Sequence, residues 1–221
     1  IIESSPLSMT LPNSERPYTI HLELNKFDVS RLYDRNQIVI RESPEEIREE
    51  RYHSWAVRPS EMITDAVEGY LKDARLFADI RQDFIDTSPD YSLTGTVKSL
   101  ERLDSGDQWY ANFKLSMQLV NNRNEIVKSW DFSDEAERVY NRDFVHTVST
   151  FKEMLRRYMT QVIRDLDFMF LVRKMQLENR PYEHLLDAAT GGGNEVSAPA
   201  VIDTLQHLSH PDYEIIPGKG R

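Results

Sequence analysis

The 221-residue chain sets 27 basic against 37 acidic side chains, and its net charge of −10 argues against nucleic acid or a basic membrane-binding face. The lack of cysteine excludes disulfides, thiol nucleophiles and cysteine-held metals. A hydrophobic content of 39% suits one globular domain with tails, and no apolar run approaches the roughly 18 residues that a membrane helix needs.

Residues 1–17 hold three prolines and four serines without a hydrophobic period, and read as a flexible tether. Tyr18 to Leu24 alternates, with Ile20, Leu22 and Leu24 on one face, which predicts a half-buried strand. Gln37 to Arg41 predicts a second, more uniformly apolar strand. The charged run Glu42 to Arg51 reads as a hairpin excursion or a sheet edge, where charge discourages stray pairing. Pro59 and Ser60 then open a helix, with Pro at an early position and Ser as N-cap. Its buried stripe is Ile63, Val67, Tyr70, Leu71, Ala74 and Phe77, and Glu61, Asp65, Glu68 and Lys72 point away.

Tyr91, Leu93, Gly95 and Val97 alternate with polar residues, and Asp104-Ser105-Gly106-Asp107 is a hairpin turn. Trp109, Ala111, Phe113, Leu115, Met117 and Leu119 stay in phase, the cleanest strand signal in the chain. After a turn at Asn121 to Glu125, Ile126 to Ala136 predicts a further strand carrying Trp130 and Phe132. A second helix is expected from about Asp143 to Met169, with Phe144, Val148, Phe151, Leu155, Tyr158, Val162 and Leu166 on one stripe. Five or six strands and two main helices predict an α+β fold: an antiparallel-rich twisted sheet with the helices packed on a face. Past Lys174, Pro181, Gly191-Gly192-Gly193, Pro199, Pro211 and Pro217 break up short apolar patches, with two helical turns at most over Val201 to Leu208. The expected organisation is therefore a tether over 1–17, a domain over 18–174 and a loosely structured or partner-dependent extension over 175–221.

Chemistry-bearing motifs are sparse. His207, His210 and Asp212 have a spacing that can ligate a metal, but their Pro-flanked setting favours surface histidines. The 104–107 turn lacks the alternating ligands of a calcium loop. Neither a Gly-x-Ser-x-Gly elbow nor a Gly-rich phosphate loop is present. No cofactor and no catalysis are expected.

Leu32 to Tyr70 carries a denser signal. Tyr33, Asp34, Arg35, Gln37, Ile38, Val39 and Arg41, followed by Trp55 and a helix, resemble the Leu-Asp-Arg-Pro-Gln-Ile-Val-x-Arg run of the ABC-type transport auxiliary lipoprotein family. The likeness extends from about Tyr18 to Leu171 and takes in Tyr91 to Gly95 and the Trp130 strand. Leu32-Tyr33 stands where the family commonly has Tyr-Leu, and Asn36 where it has Pro. The resemblance implies an α/β sandwich in the periplasm, held by an N-terminal lipid anchor, with outer-membrane attachment expected. The implied partners are an MCE-domain protein and its ABC transporter complex, and the implied role is a non-catalytic adaptor in phospholipid trafficking. Because the sequence opens at Ile1 without a signal segment, a trimmed form is expected.

Three groups of residues follow as candidates. Tyr33, Asp34, Arg35 and Gln37 form either a partner-docking loop or a salt-bridged turn, and Trp55 is either a partner-facing aromatic or packed beneath its helix. Met159, Phe168, Met169, Phe170 and Leu171 are candidates for an apolar or lipid-contact surface. Phe77, Phe113, Met117, Tyr158 and Met159 line either an acyl-chain cavity or a packed core. Alternative readings are a lipid-binding carrier and an envelope-assembly lipoprotein that forms a homo-oligomer.

Overall fold

The longest alternating stretches of the sequence become the longest strands of one nine-stranded sheet. The computed structural model describes Ile2, residues 15–85 and residues 88–185. In chain order its elements are β1 (Tyr18–Leu24), β2 (Asp28–Val29), β3 (Gln37–Arg41), β4 (Ile47–Ser54), α1 (Pro59–Ala74), β5 (Phe77–Arg81), β6 (Tyr91–Ser105), β7 (Gln108–Asn121), β8 (Ile126–Phe132), β9 (Glu137–Val139) and α2 (Phe144–Leu177). The chain divides into two compact units, Ile1–Arg164 and Asp165–Arg221.

β6 organises the first unit. One of its edges is taken by antiparallel β7 along its whole length, from Tyr91 opposite Asn121 to Ser105 opposite Gln108. Gly106 closes that hairpin at φ +62°, a left-handed conformation that glycine adopts without strain. Three short strands are laid end to end along the other edge, all parallel to β6: β1 at Tyr91–Leu93, β2 at Thr96–Val97 and β3 at Glu101–Leu103. β4 folds back antiparallel on β3, β5 lies parallel to β1, and β8 and β9 pair antiparallel with β7. The sheet thus has more strands than the five or six expected, and parallel pairs that local alternation could not reveal.

Both helices cover the face that bears Phe113. From α2, the Phe151 and Tyr158 rings lie 6.2 and 5.8 Å from Phe113, and Tyr158 stacks on Phe132 at 4.3 Å. The Tyr158 hydroxyl also donates to the Phe113 carbonyl at 3.1 Å. From α1, the Thr64 hydroxyl accepts the Phe27 backbone N–H at 2.9 Å and donates to the Ser60 carbonyl at 2.6 Å. The Phe27 ring lies on Gly95, where a Cβ would come within 2.3 Å of it, so only glycine fits. Gly95 pairs with Met117, in phase with Phe113. Each such buried aromatic or aliphatic side chain stabilises the fold by roughly 1.5–3 kcal/mol.

β6 carries a bulge. The register passes from Val97 opposite Leu115 to Ser99 opposite Lys114, leaving Lys98 without a ladder partner. Before it, Leu93, Gly95 and Val97 face the core; after it, Leu100 and Arg102 do, opposite Phe113 and Ala111.

Three local expectations are corrected. Arg58, extended at φ −62° and ψ 143°, is the N-cap residue of α1, with Pro59 as the first helical residue; Ser60 lies inside the first turn. Phe77 belongs to β5 and not to the α1 stripe, because Arg75 turns left-handed at φ 50° and ends the helix without a glycine. β8 stops at Phe132, and Glu137 to Val139 pairs separately with β7.

In the second unit the described residues are the end of α2, which runs past Met169 to Leu177, and the segment up to 185. Leu166, Met169, Phe170, Val172 and Met175 are buried there.

Candidate functional site

The 30–36 segment lies along β6 between β2 and β3, opposite the bulge. Its backbone is tightly wound: the N–H groups of Tyr33 and Asp34 donate to the Ser30 carbonyl at 2.7 and 2.9 Å, and Arg35 donates to the Tyr33 carbonyl at 2.8 Å. Beneath it sits Glu101, 3% exposed, on the sheet face opposite the helices. Its carboxylate accepts the Tyr33 hydroxyl at 3.0 Å, the Arg41 guanidinium at 3.0–3.1 Å and the Asn112 amide at 2.9 Å. A buried carboxylate needs such a set of donors to offset its lost hydration. Burial, and then the Glu101 charge, push the Tyr33 phenol above its ordinary pKa, while the hydrogen bond to Glu101 raises Arg41.

Asp34 works in another direction. Its Oδ1 accepts the backbone N–H of Ser60 at 3.0 Å, supplying the cap that Arg58 cannot. Asn36 and Trp55 are clamped backbone to side chain: the Trp55 N–H donates to the Asn36 carbonyl at 2.7 Å, and the Asn36 amide donates to the Trp55 carbonyl at 3.0 Å. Trp55 is 3% exposed, with its ring 6.4 Å from Phe151. Arg35 donates to Glu49 of β4 at 2.6 Å, and Gln37 pairs with Ser54 while remaining exposed.

The structure therefore gathers Tyr33, Asp34, Arg35, Gln37 and Trp55 at one corner of the sheet, but assigns them different work. Tyr33 and Trp55 are buried and Asp34 is engaged by α1, whereas Arg35 is half-buried and Ser30, Arg31, Asn36 and Gln37 are exposed. Met159, expected at a surface, is 0% exposed, because it lies on the core-facing stripe of α2. Met169 and Phe170 are also buried, and Phe168 and Leu171 half-buried, so this cluster is not an open apolar surface. Phe77, Phe113, Met117 and Tyr158 are buried within the fold. His207, His210, Asp212, Gly191–Gly193 and Val201 to Leu208 lie outside the described residues. Among the described residues no cluster of acidic and histidine side chains is placed to hold a metal, and no helix is long and apolar enough to cross a membrane.

A second cluster was not foreseen. Arg102, also 3% exposed, grips Asp104 through two hydrogen bonds of 2.6 and 2.8 Å, donates to the Arg142 carbonyl at 3.1 Å and lies over the Phe144 ring at 4.5 Å. Arg48 of β4 reaches the same Asp104 at 3.1 Å and also pairs with Glu42. Burial alone would lower the pKa of Arg48, but Glu42 and Asp104 raise it above the ordinary value. Above this floor, a pocket of about 300 Å³ opens between β4 (Arg51, Tyr52, His53) and the start of α2 (Arg142, Asp143, Phe144). The His53 and Phe144 rings stack at 5.7 Å across it. The sequence clue was the charged sequence Glu101-Arg102-Leu103-Asp104 inside an unbroken strand, which reads instead as approach to a solvated turn.

The model of a family described as ABC-type transport auxiliary lipoprotein component matches residues 3–162 of the chain. No curated protein sequence matches it. Among solved structures, a protein of the DUF330 family from Xanthomonas campestris superposes with a TM-score of 0.61 at 20% identity, covering 74% of this chain and 90% of the other. An uncharacterized protein superposes with a TM-score of 0.57 at 11% identity, covering 67% and 96%. These likenesses are ones of fold.

Proposed function

The chain belongs to the ABC-type transport auxiliary lipoprotein family, and from that premise we propose that it is a periplasmic, lipid-anchored adaptor of an MCE-type lipid transport system. In this reading it catalyses no bond chemistry. It sits at a membrane, docks on the MCE-domain protein and its ABC transporter, and aids phospholipid passage between inner and outer membranes.

The observation that carries the reading is the commitment of the motif's charges to the fold. Asp34 caps α1 and Arg41 is bound to buried Glu101, which holds the 30–36 loop in one conformation. A preformed loop binds with little ordering cost. Arg35, Asn36 and Gln37, next to the edge of β4 that no described strand pairs, are groups it offers a partner.

The test is affinity recovery of the lipidated protein from its own cells after mild crosslinking, with Arg35→Glu/Gln37→Ala beside the wild type. Mass spectrometry should find the MCE-domain protein with the wild type and lose it with a folded variant. Equal recovery from both would remove this loop from the interface, and absence of any MCE-domain protein from the wild-type eluate would defeat the adaptor reading itself.

A further inference from the structure

The pocket between β4 and the start of α2 has a charge arrangement that the rest of the fold leaves incomplete. Two of its cations are satisfied: Arg102 and Arg48 are bridged by Asp104. Its two acids are also spent. Glu50 accepts the Tyr52 N–H at 3.0 Å and faces His53 at 3.5 Å, and Asp143 accepts the Val145 N–H at 3.2 Å, capping α2. Arg51 and Arg142 remain: both line the pocket, and neither guanidinium has an ion pair or hydrogen-bond partner among the described residues. In a chain of net charge −10, two unmatched arginines lining one cavity call for an anion supplied from outside.

We propose that this pocket is a phosphate-group site, in which Arg51 and Arg142 bind the oxyanion. Guanidinium matches phosphate geometry through paired N–H donors. The Asp104-bridged Arg102 and Arg48 form a rigid floor, and Tyr52, His53 and Phe144 provide an aromatic wall for the carbon substituent. A volume of about 300 Å³ lies at the small end of ligand pockets, which suits a headgroup or a small phosphate ester and not an acyl chain. The phosphate can come from a phospholipid headgroup or from a soluble ester. The assignment stands apart from the adaptor reading and from the 30–36 loop.

The experiment follows the arginine Nε–H signals of the isotope-labelled protein by NMR while glycerol 3-phosphate is added at low ionic strength. Sedimentation with phosphatidylglycerol vesicles, and with phosphatidylcholine vesicles as reference, runs in parallel. Saturable shifts of Arg51 and Arg142 are expected, and Arg51→Gln/Arg142→Gln should weaken binding by about tenfold or more. Both positions are exposed, so this variant should melt as the wild type does; Tyr52→Ala, a second surface change in the same wall, should weaken binding less. Response to the ester alone identifies a soluble ligand. Arginine-dependent sedimentation with phosphatidylglycerol identifies a headgroup. Binding by neither probe, or binding untouched by the double variant, overturns the site. A hexaglutamate peptide that shifts the same arginines while the ester does not would also overturn it, in favour of an acidic protein partner.

Discussion

Asp34 and Ser60 meet through a 3.0 Å hydrogen bond, carboxylate to backbone N–H, across a sequence that includes two strands. The first turn of α1 is thus closed from outside its own segment. Asp34→Ala should cost about 0.5–2 kcal/mol, and Asp34→Asn, which keeps an accepting oxygen, should recover most of it. Urea titration at unchanged m-value measures both. An alanine variant as stable as the wild type would mean that the cap contributes nothing.

Glu101 offers a larger effect. Glu101→Leu strips the partner from Arg41 and leaves the Tyr33 hydroxyl and the Asn112 amide without their acceptor. The expected loss is about 1–3 kcal/mol, since buried donors lose their acceptor while Arg41, partly exposed, keeps its bond to the Pro44 carbonyl. Adding Arg41→Leu should restore part of that loss. If the double variant is less stable than Glu101→Leu alone, the pairing argument fails.

Gly95→Ala tests the contact with Phe27. The new methyl would stand 2.3 Å from the ring, and overpacking of this kind costs about 1–3 kcal/mol. Phe27→Leu in the alanine background should be less damaging than in the wild type. Additive losses in a double-mutant cycle would show that the two residues are not coupled.

The Tyr158 phenol is pushed up to about 12, first by burial and then by the Asp134 charge. Its hydroxyl must stay protonated to donate to the Phe113 carbonyl. Between pH about 10, where the unfolded phenol ionises, and about 12, the folded state holds a proton that the unfolded state has lost. The stability contribution is therefore complete below pH 10 and falls as pH rises through 12, by about 2–3 kcal/mol in all. Tyr158→Phe should flatten that alkaline slope in denaturant midpoints. An unchanged slope would place the titration elsewhere.

How far the sequence reaches is clearest in particular segments. Gln37 to Arg41 and the Trp109 to Leu119 alternation form strands where their patterns place them, the second because one buried face imposes period two and the first because Ile38, Val39 and Ile40 are all buried. The end of α1 was hidden: Phe77 continues the helical spacing, and the left-handed residue is Arg75, so no glycine marks the stop. The end-to-end docking of β1, β2 and β3 was also hidden, since parallel pairing across long separations leaves no local period. At the candidate site, the packing of Trp55 was one of the two readings its position allows, but the burial of Tyr33 was not visible. Asp34 and Glu101 look alike in sequence as solvated acids; only the fold shows one capping a helix and the other lying beneath Tyr33.

The extra residue at Lys98 has a consequence for what this chain can tolerate. On either side of it, β6 addresses the core with opposite parity: odd positions up to Val97, even positions from Leu100 onward. Removing one residue there would send Glu101 toward the aromatic cluster and turn Leu100 to the polar face, without altering any other letter of the strand. Composition along β6 is free to drift so long as each face keeps its character, whereas its length through this point is fixed.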